Sequence, residues 1–266
     1  MILLDVTFLI TIGIAAMLLL AAGFLLIIVI NQKKKWMLQK QMSLLKEQQQ
    51  NQLIEAAIRS EEGERHRIAE QLHDEVGAIL SSARLHFSNI KETTLDQRDN
   101  GLFDKSKMLL DDAIQKVRGI SHNLHSTLLK EFGLNEAINH FLDKIVQGTL
   151  VNVEINLDDS YHIQNPQTDI GVYRIIQELV NNALKHAKAT YIKFTSKAEK
   201  EKLVLNICYN GNGLNQQQFE ELRYKREGLG LKNIMNRIIL LKGNIHYDKT
   251  EKENRITLSI PIMEEK

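Results

Sequence analysis

The apolar positions divide the chain into regions of different period. From Val6 to Ile30 there is no charged residue, and Thr7 and Thr11 are the only polar side chains. These 25 residues, at about 1.5 Å rise each, outrun a hydrocarbon core of roughly 30 Å. The run predicts a transmembrane helix over 6–30. A signal peptide, the alternative, carries positive charge ahead of its apolar run, and here only Asp5 precedes it. Lys33, Lys34 and Lys35 follow instead, with Trp36 beside them. By the positive-inside rule that end faces the cytoplasm and residues 1–5 lie outside. The expected location is the inner (cytoplasmic) membrane, crossed once. Any signal then enters through the membrane segment, a partner or the cytoplasm.

Residues 31–60 are polar and helix-favouring, with no glycine or proline. Leu38, Met42 and Leu45 begin a coiled-coil seam that runs into Gln49 and Gln52. A second seam, two residues out of phase, starts at Ile54 and Ile58 and resumes at Ile68 and Leu72. The pattern predicts a signalling helix with a phase break. From about Glu61 to Ile90 the helix continues, with Ile68, Leu72, Ile79 and Phe87 on one face and Val76 beside it. The stretch from Asp96 to Gly101 predicts a turn, and Leu102, Leu109, Ile114, Val117, Ile120 and Leu124 mark a second helix. Such a hairpin, over 61–132, exposes apolar surface that a second copy would bury. A homodimeric four-helix bundle is expected.

After Phe132-Gly133-Leu134 the pattern becomes mixed. Helices are predicted over 135–145, 172–187 and 234–241, the last closed by Gly243. Strands are predicted where Val151, Val153, Ile155 and Leu157 alternate with polar residues, and over 191–195, 203–208, 244–247 and 255–260. Helices on one face of a mixed sheet make residues 133–266 an α+β sandwich.

Charge excludes more than it points to. The 34 basic and 33 acidic residues leave no global field for nucleic acid, and no basic recognition helix is visible. Direct nucleic-acid binding is not expected. The single cysteine, Cys208, excludes an internal disulfide and a cysteine-rich zinc site.

Three segments carry candidate chemistry. The first is Glu64-Arg65-His66-Arg67-Ile68-Ala69-Glu70-Gln71-Leu72-His73-Asp74. A neutral imidazole such as His73 has a lone pair that can attack a phosphoryl group. The second is Glu178-Leu179-Val180-Asn181-Asn182-Ala183-Leu184-Lys185-His186. Helical spacing sets Glu178, Asn182 and Lys185 or His186 along one face, offering oxygen ligands for Mg²⁺ and cations for phosphate. The third is a pair of glycine boxes, Asn210-Gly211-Asn212-Gly213 and Gly228-Leu229-Gly230-Leu231, flanking the basic stretch Arg223-Tyr224-Lys225-Arg226. Glycines allow close backbone approach to phosphates, and the helix beginning at Gly228 turns its amides toward them.

In this order the boxes resemble those of sensor histidine kinases of two-component systems. The subfamily is the one whose phosphoacceptor box reads Arg-Ile-Ala-x-x-Leu-His-Asp and whose ATPase domain is of the GHKL (Bergerat) type. The resemblance covers roughly residues 60–263. It implies that His73 is the phosphoacceptor and that Asp74 orients its ring or takes its proton. It implies ATP and Mg²⁺ as cofactors, with Asn182 as the metal ligand. Glu178, Asn181, Lys185, His186, Asn210, Gly211, Gly213, Lys225, Arg226, Gly228, Gly230 and Leu231 would line the nucleotide site. The implied partner is a separate response regulator with a receiver domain, commonly DNA-binding, since no receiver domain follows Lys266.

Two positions depart from the family. The first glycine box usually opens with an Asp that accepts from the adenine amino group, and here Tyr209 stands there. A phenol is the poorer acceptor, so Tyr209→Asp is expected to tighten ATP binding. Many relatives place a Gln at the position of Ala78 to direct a water at the regulator's phosphate, so weak phosphatase activity is expected. The alternative to a kinase is a catalytically impaired, membrane-bound dimerisation scaffold that binds a regulator or a partner kinase.

Overall fold

A computed structural model describes residues 2–89, 97–124, 127–161, 165–199, 201–225 and 229–262. Two compact units divide the chain, Met1–Leu53 and Ile54–Lys266. In the first, the opening part of α1 (Ile2–Gln71) presents Leu18, Leu19, Leu20, Phe24, Leu25 and Ile27 to the surroundings. Among the described residues, this is the one helix long and apolar enough to cross a membrane.

The second unit begins with the rest of α1, which passes into a π-helical turn, Leu72–Val76, and then α2 (Gly77–Ser88). A π-turn takes one more residue than an α-turn. The extra residue rotates everything after it by about 100°. Sequence periodicity places Ile79 on the inner face with Leu72. In the structure Ile79 is 68% exposed, while Leu80, Ala83 and Phe87 turn inward. Phe87 meets Phe103 of α3 (Gln97–Leu124) at 5.8 Å between ring centroids. Arg84 pairs with Asp111 across the hairpin at 2.8 Å, and the buried Ser121 hydroxyl donates to the Ala69 carbonyl at 2.9 Å. The predicted turn is corrected: residues 97–101, Gly101 included, are already helix, and Asp96 lies outside the described residues.

Helix α4 (Thr127–Gly148) is broken at Gly133, whose φ of 85° and ψ of 179° suit glycine almost alone. The composition shift at Phe132-Gly133-Leu134 therefore coincides with a bend. Beyond it, Ala137, Ile138, Phe141 and Leu142 face the core.

The sheet runs β1-β2-β3-β5-β4. β1 (Asn152–Asn156) pairs parallel with β2 (Tyr191–Glu199). β3 (Lys202–Tyr209), β5 (Asn254–Pro261) and β4 (Asn244–Lys249) follow in antiparallel pairs. Ile192, Phe194, Leu203, Leu205, Ile207, Leu258 and Ile260 form the inner face. They pack against α4, against α5 (Pro166–Lys185) and against α7 (Leu229–Leu240). Each fully buried aliphatic side chain contributes roughly 1.5–3 kcal/mol. α5 starts earlier than its periodicity indicates, because Asn165 accepts from the amides of Gln167 and Thr168 with Pro166 at the first helical position.

Two further local features differ from the sequence expectation. A short helix, α6 (Gln216–Leu222), follows a capping box between Asn215 and Gln218. After α7 the left-handed residue is Lys242 (φ 51°), not Gly243. Gly243 is required for proximity instead, since a Cβ there would meet Ile260 Cδ1 at 2.5 Å and the Ser259 carbonyl at 2.8 Å.

α5 and α7 are joined to α1 by a buried charge cluster. Arg174, whose side chain is 5% exposed, donates to both carboxylate oxygens of Glu62 at 3.1–3.2 Å and to the Leu124 carbonyl at 2.7 Å. Arg237 bridges Glu61 at 3.0 Å and Glu62 at 3.1 Å, and Arg65 closes on Glu61 at 2.9 Å. Removing one partner of a buried pair strands the other. Arg174→Ala is therefore expected to cost about 2–4 kcal/mol in urea unfolding of the fragment 31–266. Lys193→Ala, which breaks the solvent-exposed pair with Glu154, is expected to leave the unfolding midpoint nearly unchanged. Equal losses would refute the assignment.

Candidate active site

α5, α6, α7 and the ends of β3, β4 and β5 enclose a cavity of about 490 Å³. The amphipathic α5 buries Leu179 and Ala183 against the sheet and turns Glu178, Asn182 and His186, at successive i+4 positions, to the cavity wall. Opposite, Gly230 and Leu231 begin α7. A Cβ on Gly230 would stand 2.2 Å from Glu178 Oε1 and 3.9 Å from Asn182 Nδ2. Glycine is what lets the start of α7 approach these two polar groups. Gly213 lines the cavity as well, where a Cβ would strike the Asn254 side chain at 2.2 Å.

Several residues singled out from sequence stand elsewhere. Asn181 faces a neighbouring hollow of about 310 Å³ that includes Arg65, Arg174 and Arg237. Lys185 is exposed and does not line the cavity, and neither does Lys225. Asn210 is a brace. Its Oδ1 accepts from the Thr190 and Tyr191 amides at 2.8 and 3.0 Å, and its Nδ2 donates to the Thr190 hydroxyl. These bonds tie the end of β3 to the start of β2, and Asn210 does not line the cavity. Gly211 has φ +95°, and a Cβ there would lie 2.2 Å from the Ala187 carbonyl oxygen. It secures the crossing of the β3 end over the α5 end. Arg226 and Gly228 lie outside the described residues.

The sheet side of the cavity holds residues that sequence reading missed. Tyr247, Lys249 and Ile256 come from strands whose register no short motif encodes. Gln218 and Leu222 come from α6, whose Asn215-x-x-Gln218 cap was the available signal. Tyr209 is 4% exposed and forms part of the wall. Burial raises its hydroxyl pKa, partly offset by the Leu214 amide that donates to it. Tyr247 is likewise raised, by burial and then by Tyr209 close by.

His73 lies on the π-turn with its Nδ1 2.8 Å from Asp74 Oδ1, both side chains being about three-quarters exposed. An ionised carboxylate only accepts, so the shared proton resides on Nδ1. That leaves Nε2 with the lone pair, directed away from its own partner. Among the described residues, no cluster of three His, Cys, Asp or Glu side chains that could hold a metal occurs.

Comparison with known proteins accords with both halves. Residues 64–129 match a family described as histidine kinase, and residues 167–264 match the histidine kinase-, DNA gyrase B- and HSP90-like ATPases. The fold and its boxes thus define an ATPase domain of the gyrase B and HSP90 type behind a histidine-bearing hairpin. The chain belongs to the sensor histidine kinases that combine these two domains. The sensor histidine kinase MctS of Rhizobium johnstonii is 24% identical over 79% of this chain and 45% of its own length. The sensor protein VraS of Staphylococcus saprophyticus is 27% identical over 77% and 57%. The signal transduction histidine-protein kinase/phosphatase DegS of Brevibacillus brevis is 25% identical over 78% and 54%. The chain spans about half the length of these curated relatives.

The two kinds of glycine separate experimentally. Gly211→Ala, forced to φ +95° against a backbone carbonyl, is expected to lose at least about 1–3 kcal/mol of stability. Gly230→Ala meets only the end of a flexible side chain. It is expected to keep its unfolding midpoint while ATP affinity falls roughly tenfold or more, measured by calorimetric titration. A Gly230→Ala protein that binds ATP normally would refute the placement of the phosphate end.

Proposed function

We propose that this protein is a membrane-anchored, homodimeric histidine kinase that phosphorylates His73 from ATP and passes the phosphoryl group to an aspartate of a separate response regulator. The observation that carries the reading is the 2.8 Å contact of His73 Nδ1 with Asp74 Oδ1, which suits an Nδ1–H donor and a neutral ring whose Nε2 is free to attack. The anchor is the apolar start of α1, with Lys33, Lys34 and Lys35 on the cytoplasmic side. Dimerisation would cover Ile79, Leu85, Met108 and Leu109, all more than 60% exposed along the hairpin.

The cavity holds the nucleotide. Glu178 turns Oε1 and Asn182 turns Nδ2 toward Gly230, and the carboxylate and amide oxygens that these two side chains carry are of the kind Mg²⁺ takes, its shell being completed from phosphate and water. When bound, the ion supplies charge neutralisation at the phosphate oxygens. The chain's own part is positioning. His186 lines the same cavity, and Gly230 and Leu231 of the first turn of α7 line it as well, a helix start being suited to phosphate. His73 Nε2 attacks the γ-phosphorus, the bond to the ADP oxygen breaks, and Asp74 stabilises the positive ring that forms. Because His73 is exposed, transfer is open to the cavity of either subunit.

The decisive experiment is incubation of the fragment 31–266 with γ-labelled ATP and Mg²⁺. Acid-labile, alkali-stable label absent from His73→Ala is expected. Asp74→Asn, which frees the ring to take either tautomer, is expected to lower labelling about 100-fold. No label despite bound ATP would favour a scaffold that engages a regulator without turnover. A further outcome concerns the exposed Ala78 on the first turn of α2. Lacking a polar side chain to orient water, the unphosphorylated kinase is expected to leave the lifetime of regulator phosphate unchanged. A marked shortening would contradict this.

A further inference from the structure

Resting on the proposed membrane anchor, we propose that one face of α1 just past the apolar run, carrying Lys33, Trp36, Met37 and Lys40, binds the headgroups of anionic phospholipids. The charge there is one-sided. No acidic residue occurs between Asp5 and Glu47, while Lys33, Lys34, Lys35, Lys40 and Lys46 fall in the same interval. The chain as a whole is balanced, with 34 basic and 33 acidic residues, so this excess is local. α1 runs unbroken through the stretch, and all five lysines are exposed.

Helical geometry sorts these residues into two faces. At about 100° per residue, Leu38, Met42 and Leu45 fall within about 60° of one another, which is the seam left for a second copy. Lys33, Trp36, Met37, Lys40 and Leu44 fall within about 100° on the opposite side. A dimer paired through the seam therefore turns this second face outward. Trp36, Met37 and Leu44 are 61%, 50% and 51% exposed. Lys40 Nζ lies over the Trp36 ring, 5.3 Å from its centroid, so cation and indole form one surface. An indole flanked by ammonium groups suits the headgroup level, where an apolar ring and a charge are both accommodated.

Distance along the helix selects the partner. Lys33 stands about 4.5 Å beyond Ile30, Trp36 about 9 Å and Lys40 about 15 Å. The headgroup layer is roughly 5–7 Å deep on each side of the hydrocarbon. Lys33 therefore lies within it, and Lys40 lies within a Debye length of about 10 Å from its outer edge. An acidic protein would have to enter the headgroup layer to meet Lys33, whereas an anionic lipid is already there. Lys46, about 24 Å beyond Ile30, is out of reach.

Trp36 is the only tryptophan, so its fluorescence reports on this face alone. The test is quenching of Trp36 by acrylamide, a neutral quencher, in the full-length chain reconstituted into vesicles. One set is phosphatidylcholine, and the other contains about 30% phosphatidylglycerol. The anionic vesicles are expected to lower the quenching constant at least about twofold and to shift emission to the blue, and about 1 M salt is expected to abolish the difference. Lys33→Gln with Lys40→Gln leaves Lys34 and Lys35 to orient the anchor, and is expected to remove most of the difference. Lys46→Gln is expected to leave it intact. Equal quenching in the two vesicles, or a difference that persists in the double variant, would overturn the proposal. Equal protection by soluble glycerol phosphate in phosphatidylcholine vesicles would assign the face to free phosphate and overturn it as well. A chain washed from the vesicles by alkaline carbonate would overturn the anchor and this proposal together, whereas labelling of the fragment 31–266 tests the kinase reading independently.

Discussion

Two buried guanidinium groups hold the walls of this structure's main candidate site to the helix that carries His73. Arg174 on α5 and Arg237 on α7 both close on the adjacent carboxylates of Glu61 and Glu62 on α1. Such a cluster adds little net stability, because desolvating the charges offsets most of their attraction. What it fixes is register. α5 carries Glu178 and Asn182, and α7 carries Gly230 and Leu231, so the cluster ties both walls of the nucleotide cavity to the helix that leads, eleven residues after Glu62, to His73. The tie is also incomplete. Arg237 Nη1 is buried without a partner among the described residues, and in so low a dielectric an unmatched donor is costly.

The π-turn is the second constraint. It sits on His73, the proposed phosphoacceptor, from Leu72 to Val76, and inserts one residue between the helix packed by Ala69 and the helix packed by Phe87. Sequence-adjacent side chains on an α-helix diverge by about 100°. His73 and Asp74 nonetheless meet at 2.8 Å within the wider turn. The same insertion exposes Ile79, so the turn that presents the histidine also sets which apolar stripe is left for a second copy.

Much of this was legible in the sequence because it is local. The apolar stretch before Lys33 and the alternation around Val153 and Ile155 each encode their element within a few residues, whereas the Asn165-Pro166 start of α5 lies ahead of the periodic stretch. Glu178, Asn182, His186, Gly213 and Gly230, singled out from the sequence, come together on one cavity, the one proposed for the nucleotide. What sequence could not supply is non-local or one residue wide. Arg174 and Glu62 are 112 positions apart, and Tyr247 enters the site only through the β4–β5 register. Asn210 fits the glycine-box pattern as well as Gly213 does, yet its amide is consumed by Thr190 and Tyr191. The π-turn left no mark on hydrophobic periodicity, since Ile79 and Leu80 are both apolar.

The exchange of a carboxylate for Tyr209 is absorbed by the same short-range packing. The phenol is too large to stand where a carboxylate would leave room for a base, unless the wall beyond it is open. Here that wall is Tyr247, held flat by Phe219 from α6. α6 in turn leads through Arg223 and Tyr224, stacked at 4.8 Å, toward the basic segment that precedes α7. The aromatic stack therefore joins the sheet side of the cavity to the helix from which the phosphate-side segment departs. Phe219 is fully buried, so Tyr247 on β4 and the whole of α6 hold their places together, and the cavity wall they share is set by packing between elements distant in sequence.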